Sequence, residues 1–127
     1  MSIGLIGTKL GMTREFIQSG QSVPVTVIKI ETGRVIDIIN KDKRGYSAVK
    51  IGYYKTKNSK LTKQMKGFFT KKNTEPKRIL KEYRVDNTEN YKAGNELGLD
   101  ILKDKKFVDV KSKTIGKGFA GAMKRWN

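Results

Sequence analysis

Three runs of β-branched and other apolar residues fall between positions 23 and 54, each bounded by glycine or by a polar turn. Val23-Pro24-Val25-Thr26-Val27-Ile28-Lys29-Ile30 lies between Gly20 and Gly33. Side chains branched at Cβ pack well on a pleated surface but lose freedom in a helix, so this run predicts a strand buried on much of both faces. Arg34-Val35-Ile36-Asp37-Ile38-Ile39-Asn40 follows after Glu31-Thr32-Gly33. A connection that short predicts an antiparallel hairpin between the two runs. In Ser47-Ala48-Val49-Lys50-Ile51-Gly52-Tyr53-Tyr54, the apolar Val49, Ile51 and Tyr53 alternate with Lys50, which is the period of a half-buried third strand.

From Leu61 the period changes. Leu61, Met65 and Phe68 or Phe69 recur at helical spacing, predicting a short amphipathic helix over about 60–71, with Ser59 as its cap and Gly67 as a weak point. Ile79 to Val85 returns to strand character, Phe107 to Lys111 reads as another short strand, and Gly94 to Leu99 as a brief one. Gly7-Thr8-Lys9-Leu10-Gly11-Met12-Thr13-Arg14 reads as a glycine-bent first strand. Several short strands with one small helix predict a mainly β protein, a small barrel or a curled sheet.

A chain of 127 residues suits one domain, and an apolar fraction of 36% against 31% charged residues keeps its core small. Twenty-eight Lys and Arg against 12 Asp and Glu leave a formal charge of +16. Folding does not require such an excess, which raises self-repulsion in the compact state, so a polyanion is expected to neutralise it. Nucleic acid is the leading partner and an anionic membrane surface the second. The absence of Cys and His excludes thiolate nucleophiles, disulfides, Cys/His zinc sites and imidazole bases. Asp37, Asp42, Glu82 and Asp109 stand singly among lysines, where ion pairing rather than paired-carboxylate catalysis is expected. The N-terminus lacks the cationic leader and long apolar core of a signal peptide, and no run approaches the roughly 20 apolar residues of a membrane span.

Charge is segregated along the chain. Between Lys43 and Thr74 there is no acid, while Lys43, Arg44, Lys55, Lys57 and Lys60 are among the cations there; a surface that serves only solubility usually mixes both signs. Acids are absent again from Val110 to Asn127, where Gly116, Gly118 and Gly121 free the backbone for close approach. In that stretch Lys113, Lys117, Lys124 and Arg125 can meet phosphates, and Phe119 and Trp126 can stack on bases. Gly116-Lys117-Gly118-Phe119-Ala120-Gly121 spells a dinucleotide fingerprint, but that fingerprint works only between a strand and a helix with an acid roughly 20 positions on, and only six residues follow Gly121 here, so that reading is rejected. Lys9 precedes the second glycine of its loop, which is the wrong order for a phosphate loop; direct phosphate contact by Lys9 or Arg14 is the alternative to a purely structural role.

Ile3-Gly4-Leu5-Ile6-Gly7-Thr8-Lys9-Leu10-Gly11-Met12-Thr13-Arg14, then Pro24-Val25-Thr26-Val27-Ile28, the Gly45-Tyr46 segment, and finally Gly116 through Trp126-Asn127 resemble, in that order, the universal large-subunit ribosomal protein L three family. The resemblance runs along the whole chain but matches only the N-terminal part of a bacterial or organellar member. It implies a translation-protein-type β-barrel, incomplete in this chain, over residues 1–112 with a basic helical insertion at about 55–75. Residues 113–127 would begin a basic, glycine-rich extension that contacts rRNA. It further implies a structural role without catalysis or cofactor: binding of large-subunit rRNA near its 3′ end, support of early subunit assembly and of the peptidyl-transferase region, and contact with neighbouring large-subunit proteins. No membrane and no small-molecule substrate enter that picture, and the location would be the ribosome of a bacterial cytoplasm or an organellar matrix or stroma. The rRNA-contacting role is carried onto Lys117, Phe119, Lys124, Arg125 and Trp126, and less directly onto Lys9 and Arg14. The alternative is a protein-interaction module that docks through an open β edge.

Overall fold

The computed structural model describes residues 3–127, with the side chain of Lys43 outside that description. Strand β1 (Gly7–Phe16) turns at Ile17–Gln21 and runs back as β2 (Ser22–Ile30). Gly20 sits at φ 81°, a left-handed conformation that suits glycine, and its N–H donates to the Ile17 carbonyl at 2.8 Å. The pair is antiparallel, from Phe16 opposite Ser22 to Gly7 opposite Ile30, with a bulge between Lys9 and Gly11.

The expected hairpin between 23–30 and 34–40 does not form. Strand β3 (Gly33–Ile39) belongs to a second sheet, of order β5-β4-β3-β6, with β4 (Ala48–Lys55), β5 (Lys77–Arg84) and the two-residue β6 (Glu96–Leu97). The short turns that join hairpin strands generally need positive φ, and Gly33 is not among the glycines that adopt it. The Glu31 N–H instead donates to the Ile6 carbonyl at 3.0 Å, tying the end of β2 to the N-terminal segment. Between β3 and β4 stands the single-turn helix α1 (Lys41–Arg44), ended by Gly45 at φ 77°.

Alternation along the second sheet sorts its two faces. On one, Val35, Val49, Ile51, Tyr53 and Val85 bury with Ile3 into the main core, and Ile6, Tyr83, Tyr91, Leu97 and Ile101 pack around them. The Tyr53 hydroxyl donates to the Gly4 carbonyl at 3.2 Å, and burial, helped by Tyr83, pushes its pKa far above that of an exposed phenol. The other face lies under helix α2 (Lys63–Lys71), where Lys72 pairs with Asp37 at 2.8 Å and the Lys50 ammonium sits 5.4 Å from the Phe68 ring centre.

The cap of α2 is Thr62, whose Oγ1 accepts the Met65 N–H at 3.4 Å; Ser59, the expected cap, stands instead in a 3₁₀ turn at Asn58–Lys60. The helix ends with Asn73 at φ 48°, with Thr74 N–H donating to Phe69 O and Asn73 N–H to Thr70 O, both at 3.1 Å.

Phe107 to Lys111, expected as a strand, pairs with nothing among the described residues, and Phe107 is 92% exposed. No ladder joins it to the free edge of β1 or of β2. It borders instead a groove of about 1070 Å³ between Thr26, Ile28 and Ile30 of β2, Tyr83 of β5 with Val85 just after it, and residues 101–112. Leu10, Met12 and Phe16 of β1 are 64–66% exposed. The protein is thus mainly β, with α2 as its helix of more than one turn, and among the described residues its strands form two open sheets rather than a closed barrel.

Candidate nucleic-acid interface

The cations sort into those consumed by the fold and those left for solvent. Ion pairs hold Lys50 to Glu82 (2.8 Å), Lys72 to Asp37, Lys29 to Glu31 (3.2 Å) and Lys103 to Asp100. Lys55, at the end of β4, pairs with Glu75 at 3.1 Å, and Lys77 approaches the same carboxylate at 3.9 Å. Of the predicted contact residues, Lys55 is therefore partly neutralised. Its hydrogen bond and charge, with help from Lys77 and Arg34, hold the Glu75 carboxyl below the usual carboxylate range.

Lys43 aside, whose side chain lies outside the description, the remaining predicted side chains stay outward and form no salt bridge among the described residues. Lys9 and Arg14 are exposed on β1, Arg44 ends α1, and Lys57 and Lys60 flank or enter the 3₁₀ turn before α2. Lys113 and Lys117 lie in an irregular segment, with Gly116 and Gly118 at φ 74° and 69°. Phe119 is 94% exposed and Trp126 80%. A single-turn helix, α3 (Ala122–Trp126), carries Lys124, Arg125 and Trp126, with the Gly121 carbonyl accepting from the Lys124 and Arg125 N–H groups.

These residues fall into three groups: strand β1, the acid-free stretch from the end of α1 through α2, and the C-terminal segment. The groove draws the first toward the third, because Lys9 lines it together with Lys105 and Lys111, just before Lys113. Sequence reasoning missed Tyr46 and Arg84. The Arg84 guanidinium lies over the Tyr46 ring, its carbon 5.3 Å from the ring centre, a meeting that depends on cross-strand register.

Among the described residues no cluster of three or more metal-ligating side chains forms, and no helix is long and apolar enough to cross a membrane. What this surface offers chemically is positive charge with exposed aromatic faces, the complement of phosphates and unpaired bases.

No protein-family model matches the chain. Over 125 residues it is 65% identical to the large ribosomal subunit protein uL3 of Pelagibacter ubique, an overlap covering 98% of this chain and 53% of that relative. This chain belongs to the uL3 family. The uL3 of Magnetococcus marinus is 44% identical over 99% of this chain and 59% of its own length, and that of Idiomarina loihiensis 46% over 100% and 61%. The chain spans little more than half the length of the uL3 proteins it matches. These relatives are ribosomal proteins and not enzymes, which agrees with a sequence that pairs no catalytic carboxylates.

Proposed function

We propose that the protein is a structural constituent of the large ribosomal subunit that binds large-subunit rRNA near its 3′ end and supports early assembly and the peptidyl-transferase region. Its partners are then rRNA and neighbouring large-subunit proteins, and its place is the ribosome, in the cytoplasm given bacterial relatives. The observation that carries this reading is the set of exposed cations that form no salt bridge among the described residues, in a chain whose relatives are named as large-subunit proteins.

Residues 1–112 act as the barrel domain and 113–127 as the start of the extension. Phosphate contact falls to Lys113, Lys117, Lys124 and Arg125, with Lys9, Arg14, Lys43, Arg44, Lys57 and Lys60, while Phe119 and Trp126 supply stacking surfaces. Lys55 contributes least, because Glu75 already offsets it. Quantitative mass spectrometry of purified ribosomes tests the reading: the protein is expected in the large subunit in equal number with other large-subunit proteins, and its loss on gentle washing would contradict it.

The bare edges of β1 and β2, with Leu10, Met12 and Phe16 exposed, favour as a second reading a module that docks on protein through an open edge. That association would persist at high salt.

A further inference from the structure

We propose that the Tyr46–Arg84 pair is a stacking platform for one unpaired base of the bound RNA, a deepening that rests on the rRNA-binding reading above. Alternation on β4 and β5 sets the geometry. Tyr46 precedes β4 in the same phase as Ala48 and Lys50, while β5 places Glu82 opposite Lys50 and Arg84 opposite Ala48. All four polar or aromatic side chains therefore share one face of the sheet.

A chain of contacts then holds the ring. The Tyr46 hydroxyl donates to Glu82 Oε2 at 3.1 Å, Lys50 grips Glu82 Oε1 at 2.8 Å, and the Lys50 ammonium rests over the Phe68 ring of α2. Arg84 is exposed, forms no salt bridge among the described residues, and lies over the Tyr46 ring. A guanidinium in that position is ordered on its protein side and open on its outer side. An unpaired base can cover that outer face while the guanidinium N–H groups reach a flanking phosphate. The neighbouring exposed Arg44, near enough to act on Glu82, adds a second cation for the same strand. An ammonium in place of the guanidinium would keep the charge but lose the plane.

That difference is the test. In filter binding of the full-length protein to large-subunit rRNA, Arg84→Lys is expected to weaken affinity by about fivefold with the salt dependence unchanged. Tyr46→Phe, which keeps the ring but frees it from Glu82, should lose less than Arg84→Lys. The triple variant Lys117→Gln, Lys124→Gln, Arg125→Gln serves as reference. If Arg84→Lys binds as wild type while the triple variant is weakened, the platform is wrong and the RNA-binding reading stands. If neither variant weakens binding, both are wrong. Association of wild type with protein alone, unaffected by RNA, would also overturn the platform.

Discussion

Glu82 is the acid on which one face of the second sheet turns: Lys50 bonds it, Tyr46 donates to it, and Arg44 adds field. Its hydrogen bond with Lys50 comes first among the causes that hold its pKa below the ordinary glutamate value, and burial opposes them. A carboxyl depressed by folding contributes stability that is complete above its unfolded pKa and is lost as pH falls through its folded one. The urea midpoint of wild type should therefore exceed that of Glu82→Gln at neutral pH, and the gap should close as pH drops below the usual carboxylate range. A gap independent of pH would contradict this.

Other residues were legible in kind but not in cause. Gly33 reads as turn punctuation in the sequence, yet its role is packing, since a Cβ there would lie 2.6 Å from Ile51 Cγ2 and 2.7 Å from Tyr53 Cε1. The charge of Lys50 and Lys55 was legible too. Their partners Glu82 and Glu75 were not, because they lie 32 and 20 positions away and meet them only through the fold.

At the scale of elements, α2 depends on its first turn. Thr62 satisfies the Met65 N–H, no acid stands in that turn to favour the helix dipole, and Gly67 weakens the interior. Thr62→Ala is expected to cost about 1 kcal/mol in denaturant unfolding, whereas Ser59→Ala should cost far less. Equal costs would return the cap to Ser59.

The helix, β2, β3, β4 and β5 were readable because period and β-branching act locally. Pairing was not. The apolar runs of β2 and β3 suit a hairpin equally well, and the choice of β1 as partner rests on the left-handed turn at Gly20 and the Glu31–Ile6 bond. Phe107 to Lys111 shows the converse, strand-like residues that join no ladder among the described residues. The single turn of α3 gave no periodic signal in five residues.

For the whole molecule, the balance of charge outweighs any one contact. Asp37 and Glu82 of the second sheet, and Glu75 just before β5, are paired with lysines, while the chain keeps a formal +16. The segregation of that charge was visible in sequence, and so was the character of the C-terminal segment. The grouping of Lys9 with Lys105 and Lys111 along one groove required the fold.

The central claim is that clustered cations bind rRNA by releasing its counterions. The most direct measurement is the rRNA affinity of the full-length protein as salt rises from about 50 to 200 mM. If about six or more phosphates are engaged, affinity falls by about a thousandfold or more, and the triple variant at Lys117, Lys124 and Arg125 lowers the slope of log affinity against log salt by about two to three. An affinity that stays flat across that range, or a slope that the triple variant leaves unchanged, would contradict the account.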